Sequence, residues 1–186
     1  MGGSEEKQDK HFPVWGLDNV IRRVTDNPNT YCSYVTKGQV VADLGCGPGY
    51  YTLPLAESVG PEGTVYAVDS DEKAIRALDK KASKHGCHNI EAYATSASDL
   101  SFIKDESVDF ILACDLLCSM APRYREPAIN EIKRILKPTG KTYLSAALGS
   151  VLGLWNSNID RADWEKILEG FRIERRGKDW AVVSAE

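Results

Sequence analysis

The sequence predicts an α/β protein built on a doubly wound sheet, with helices on both faces in three layers. Three features predict it. From residue 38 onward, short apolar runs alternate with amphipathic helical segments, as crossover-connected strands require. One of those runs, SVDFILAC, is apolar almost throughout (Val108, Phe110, Ile111, Leu112 and Ala113), the pattern of a central strand covered on both faces. Residues 41–49, VADLGCGPG, close a strand on Asp43 and open at once into three alternating glycines, Gly45, Gly47 and Gly49.

Residues 1–10 are polar and are expected to form a disordered tail, and residues 11–186 are expected to form one domain. Within it, residues 11–37 read as a helical lid ahead of a core spanning 38–186. Leu17, Val20, Ile21 and Val24 share one face of a helix over 14–26, which Pro28 ends. A short helix over TYCSYV then leads through Gly38 into the first strand, QVVADL. The helix YYTLPLAESVG follows the glycine loop, and TVYAVD is the second strand, ending in Asp69. Ser70 is the expected cap of the helix DEKAIRALDKKASKHG, and Gly86 its stop. NIEAYAT is the third strand and SVDFILAC the fourth. Helix REPAINEIKRIL, a KPTG turn and strand KTYLSAA come next. Helix DRADWEKILEG and the strands FRIERRG and WAVVSA complete a count of seven strands. The apolar linker from Gly149 to Asn158, which includes Trp155, is long enough to suggest a functional loop.

Glycine has no Cβ, so it takes positive φ and lets a ligand lie against the backbone. A loop wrapping a nucleoside needs both properties. Asp69, twenty residues beyond Gly49, stands where a carboxylate can take ribose hydroxyls. A dinucleotide site would show G-x-G-x-x-G, but here the third glycine comes one residue early, which disfavours a nicotinamide-dependent oxidoreductase.

VADLGCGPGYYT, the acid ending VYAVD, and INEIKRILKPTGKTYLSA together resemble the class I S-adenosylmethionine-dependent methyltransferases, across residues 38–147. The nearest flavour is the small-molecule branch that includes the ubiquinone and menaquinone biosynthesis enzymes. The resemblance implies a Rossmann-like seven-stranded sheet, mostly parallel, with an antiparallel last strand. It implies S-adenosyl-L-methionine as cofactor, S-adenosyl-L-homocysteine as product, and a loop of Gly45, Cys46, Gly47, Gly49 and Tyr50 around the cofactor. Asp43 would serve its amino acid end, Asp69 the ribose, and Ser70 would flank the adenine. Many relatives carry D-A-x-D-L after the third strand. This chain places Ser96 and Ala97 at the first two positions, and a serine accepts the adenine amino hydrogen bond more weakly than a carboxylate. Cys114 would lie by the methionine portion.

A sulfonium methyl donor is already reactive, so placement and exclusion of water dominate the catalysis expected of such a protein. No catalytic residue is therefore compelled by the pattern. Cys118, Asp115 and Tyr34 are the candidates, and each has a plain packing role as its alternative. His11, Trp15 and Tyr31 are further candidates to line the lid. Arsenite methyltransferases share this core and use several cysteines, so a metalloid acceptor is one alternative. A non-catalytic cofactor-binding regulator is another.

The 186 residues carry a net charge of −4, which offers no long-range attraction to polyanions, and no nucleic-acid partner is expected. The polar start does not resemble a signal peptide, and no apolar run approaches the ~18 residues of a membrane span. A cytoplasmic protein without membrane insertion is expected. Five scattered cysteines suit reduced thiols rather than a disulfide framework, and without a C-x-x-C pair no metal site is expected. The partner is then a small-molecule acceptor. Monomer and homodimer both stay open.

Overall fold

A computed structural model describes residues 26–146 and 159–185. Most of the predicted helix over 14–26, and with it His11, Trp15 and the 149–158 linker, lies outside those residues. The described elements are α1 (Asn29–Cys32), β1 (Val40–Leu44), α2 (Thr52–Val59), β2 (Thr64–Asp69), α3 (Glu72–His85), β3 (Ile90–Ala94), β4 (Val108–Ala113), α4 (Leu116–Ser119), α5 (Pro122–Ile135), β5 (Leu136–Ser145), α6 (Arg161–Leu168), β6 (Arg172–Arg176) and β7 (Trp180–Ser184).

The strands form one seven-stranded sheet in the order β3-β2-β1-β4-β5-β7-β6. β1 pairs in parallel with both β2 and β4, β2 with β3, and β4 with β5, while β7 runs antiparallel to both of its neighbours. The expected mostly parallel sheet with an antiparallel last strand is therefore present. The chain winds outward from β1 to β3 and then returns to place β4 on β1's other side. That reversal opens a crevice beyond the carboxyl ends of β1 and β4, where sheets of this kind bind ligands.

Strand alternation divides the core between the two faces. Val41, Val65, Phe110, Leu112, Tyr143 and Val182 meet Tyr31 of α1 and Leu55, Ala56 and Val59 of α2. Ala42, Leu44, Ile111, Ala113 and Leu144 meet Ala128, Ile132 and Ile135 of α5 and Trp164, Ile167 and Leu168 of α6. The apolar positions of α3, Ala74, Ile75, Leu78 and Ala82, recur at helical spacing and are all buried. Leu78 is fully buried, an environment worth about 1.5–3 kcal/mol to a leucine.

Four local differences from the sequence reading have clear causes. Asp71, not Ser70, caps α3: it keeps extended dihedrals (φ −89°, ψ 104°) and its carboxylate accepts the Lys73 amide at 2.8 Å. Helix α5 begins at Pro122, earlier than expected, because proline suits a first helical position. α2 begins at Thr52, since Gly49 and the two tyrosines after it still belong to the loop. The KPTG turn is a bulge inside β5: Val108 pairs with Leu136 but Phe110 with Lys141, so four residues oppose one. Gly86 ends α3 as expected, with φ +68° and the Cys87 amide returning to the Ala82 carbonyl at 3.0 Å.

The connection from β3 to β4 is held by α5. Arg134 donates to the carbonyls of Leu100 and Ile103, both at 2.8 Å, and Glu131 accepts the Leu100 amide at 2.7 Å. Arg134 also pairs with Glu131 at 2.8 Å and with Asp105 at 2.6 Å. One guanidinium thus fixes a long loop whose near end carries Ser96 and Ala97.

Candidate cofactor and acceptor site

The glycine loop turns as its composition requires. Gly45, Gly47 and Gly49 have φ of +78°, +51° and +85°, the left-handed region that side chains resist. A Cβ on Gly49 would strike the Leu78 side chain, so this residue lets the loop close on α3. At Gly47 a Cβ would meet nothing within 4 Å, so there the backbone itself is the surface presented.

Three anchors hold the loop against β2 and α3. The amides of Gly45 and Cys46 both donate to the Val68 carbonyl, at 2.8 and 3.1 Å. The Gly47 amide donates to one Asp69 carboxylate oxygen at 2.8 Å, and the Asp71 amide to the other at 2.8 Å. Lys81 of α3 reaches the Pro48 carbonyl at 2.7 Å. Asp69 is half-buried, and each of its oxygens keeps lone-pair capacity beyond its one amide.

Asp43 lies beneath the loop, 2% exposed, accepting the Thr52 hydroxyl at 2.6 Å where α2 begins. Cys46 is buried beside it. Burial first, then the carboxylates of Asp43 and Asp69, pushes its thiol well above the ordinary range, so it stays protonated. Ser70 is exposed at the strand end. Ser96 is half-buried, with its hydroxyl 2.8 Å from that of Ser98, and Ala97 is buried beside it in the chain.

At the end of β4 the chain takes a left-handed step at Asp115 (φ +54°, ψ +21°), an unusual conformation outside glycine. Ser145, at the end of β5, holds it from both sides: its hydroxyl accepts the Asp115 amide at 3.0 Å and lies 3.0 Å from the Asp115 carboxylate, to which it donates. The same hydroxyl is 3.4 Å from the Cys114 sulfur. Cys118 is buried one turn on, its thiol donating to the Asp115 carbonyl at 3.2 Å.

Next to Cys114 stands a group of tyrosines. The hydroxyls of Tyr31 and Tyr51 lie 3.9 and 3.8 Å from its sulfur, and both donate to Asp26, at 2.8 and 2.5 Å. Tyr50 donates to the Asp26 carbonyl at 3.0 Å. Burial, followed by the nearby Cys114, raises the Tyr31 phenol far beyond its ordinary value. Tyr34 instead stacks on Phe110, with ring centroids 5.6 Å apart and planes 4° from parallel.

The structure thus gathers Asp43, Cys46, Gly47, Asp69 and the rest of the loop at one side of the crevice. Cys114, Asp115 and Cys118 stand at the other. Asp26, Tyr51 and Ser145 were not among the residues singled out from sequence. Ser145 carried a usable signal, its place at the carboxyl end of the strand after β4. Asp26 carried none.

The comparisons with known proteins decide the family. A profile described as a methyltransferase domain matches residues 41–140, more than half the chain. The chain belongs to this methyltransferase family. It is 35% identical over 108 residues to a demethylmenaquinone methyltransferase of Geobacillus stearothermophilus, an alignment covering 58% of this chain and 45% of that protein. A Listeria monocytogenes protein of the same name is 33% identical over 107 residues, with 58% and 44% covered. The chain therefore spans less than half the length of these curated relatives. Among solved structures, a SAM-dependent methyltransferase from Aquifex aeolicus superposes with a TM-score of 0.78 at 25% identity, covering 95% of this chain and 98% of that one. PKMT2 from Rickettsia typhi, solved with AdoHcy, matches with a TM-score of 0.53 at 26% identity over 58% of this chain and 20% of that one. Fold and family are those of the S-adenosylmethionine-dependent methyltransferases, similar to the quinone-biosynthesis branch. Neither the metalloid nor the non-catalytic reading is favoured by these likenesses. No described helix is long and apolar enough to cross a membrane.

Proposed function

We propose that this chain holds S-adenosylmethionine on the Gly45–Gly49 loop and Asp69 and transfers its methyl group to a small-molecule acceptor met at the ends of β4 and β5. The observation that carries this reading is the meeting of three left-handed glycines with a strand-end carboxylate at the point where the sheet order reverses. The residues suit the group. Gly47 presents bare backbone, Asp69 retains lone pairs for a diol, and Asp43 braces the loop from below through Thr52.

When bound, S-adenosylmethionine supplies a sulfonium methyl group open to direct displacement, with S-adenosylhomocysteine as product. The residues of this chain orient and enclose. Ser145 fixes the Asp115 backbone, which sets the end of β4 against the loop. Tyr31 and Tyr51 close the space beside Cys114, and burial keeps the Tyr31 phenol neutral. Ser96 would accept the adenine amino group. Cys118, whose thiol is engaged by its own turn, serves best as packing.

The relatives are named for demethylmenaquinone, so a quinol-type ring is the first acceptor class to try. The test is transfer of an isotopically labelled methyl group to a panel of small acceptors headed by a naphthohydroquinone. Label appearing in an acceptor supports the reading. Tight cofactor binding with no transfer to any member would favour a non-catalytic cofactor-binding protein instead.

A further inference from the structure

We propose that Asp26 is a positioning residue for the methyl-donor end of the site: by taking the protons of Tyr31 and Tyr51, it turns the lone pairs of both hydroxyls toward the end of β4, so that the site favours a sulfonium cation over the neutral thioether product. This inference rests on reading the crevice as the S-adenosylmethionine site.

A phenol has one proton to donate. Tyr31 and Tyr51 both give theirs to the same oxygen of Asp26, at 2.8 and 2.5 Å, so elsewhere their oxygens can only accept. Both face Cys114, whose sulfur lies 3.9 and 3.8 Å away and whose thiol donates to Tyr51, and Tyr31 also meets the Tyr143 hydroxyl. Hydrogen bonds to a carboxylate are charge-assisted and polarise the donor, which raises electron density on the phenol oxygens. The Asp115 carboxylate, 4.0 Å from the same sulfur, adds a further acceptor.

The arrangement is held in place on each side. The Tyr31 ring sits edge-on to Tyr51 and to Tyr143, with centroids 4.9 Å apart in both pairs. The Tyr50 hydroxyl ties the Asp26 carbonyl to the end of the cofactor loop at 3.0 Å. Burial keeps Tyr31 from ionising, so it stays a donor to Asp26. Three tyrosines, one from α1 and two from the end of the glycine loop, thus converge on one residue ahead of β1. A surface of acceptors backed by a carboxylate stabilises a positive sulfonium. It offers little to a thioether of the same shape.

The test compares calorimetric titrations with S-adenosylmethionine and with S-adenosylhomocysteine for the wild type, Asp26→Asn, Asp26→Glu and Tyr51→Phe. Asp26→Asn should lose about tenfold in affinity for the sulfonium and less than about threefold for the thioether, the difference expected of one partly screened charge. Asp26→Glu should recover part of the preference. Tyr51→Phe keeps the carboxylate but removes one oriented oxygen, and should shift the ratio in the same direction. An equal loss for both ligands, or no loss, would overturn the inference and leave Asp26 a purely structural residue. A wild type that binds neither ligand would overturn the site reading itself, and this inference with it.

Discussion

The Asp69 carboxylate accepts the backbone amide of Gly47 at 2.8 Å, across twenty-two positions of sequence. The acid at the end of β2 is therefore part of the glycine loop's architecture as well as a candidate ribose ligand. Removing it takes away that anchor together with the candidate ligand. Asp69→Ala should abolish measurable S-adenosylmethionine binding while leaving the fold intact, as judged by circular dichroism alongside calorimetry. Gly47→Val should do the same, because a β-branched residue resists φ near +51°.

The loop glycines are not equivalent. Gly47→Ala meets only the cost of a left-handed backbone, about 1–2 kcal/mol. Gly49→Ala adds a collision with Leu78, and forced overpacking costs a further ~1–3 kcal/mol. Urea denaturation of the two variants should rank Gly49→Ala as the less stable. Equal stabilities would mean that the loop can lift away from α3.

At the start of α3, Asp71→Ala should cost about 1 kcal/mol through loss of the cap, while Ser70→Ala should be nearly neutral. Thermal unfolding of both variants would check the assignment. The reverse ranking would restore Ser70 as the cap.

The Glu131–Arg134 pair predicts a pH effect. Its hydrogen bond to Arg134, aided by the Leu100 amide, holds the Glu131 carboxyl below its ordinary range. A carboxyl lowered in the folded state adds stability above its unfolded pKa and loses it as pH falls through the folded value. The wild type should therefore lose stability below about pH 5 more steeply than Glu131→Gln, with the two curves converging in acid. Parallel slopes in denaturant melts across that range would show that the pair contributes nothing. Arg134→Ala should destabilise at neutral pH by more than a surface pair would, because it also takes a donor from the Ile103 carbonyl and leaves that of Leu100 with the Ile103 amide alone.

Much of the fold was legible because its determinants are local. Three glycines each need positive φ, an acid ends a strand, and the near-continuous apolar run 108–113 needs cover on both faces. Those demands can be read one residue at a time. The Asp71 cap was missed because serine and aspartate are both good caps, and only the extended dihedrals of residue 71 decide between them. The KPTG segment has turn chemistry, but whether it ends a strand or bulges from one depends on the register with β4. The far side of the crevice was harder. Tyr31 meets Cys114 across 83 positions, and Asp26 meets Tyr51 across 25, so no spacing rule links them. Asp115 and Cys118 are candidates only through their place after β4. The step that bends the backbone there is visible only once Ser145 is seen to hold it.

The measurement that bears most directly on the whole account is calorimetric titration of the wild-type chain with S-adenosylmethionine and, in parallel, with NADH. The glycine spacing, the Asp69–Gly47 bond and the family predict saturable binding of S-adenosylmethionine and none of NADH. Tight NADH binding, or no response to S-adenosylmethionine, would contradict the account.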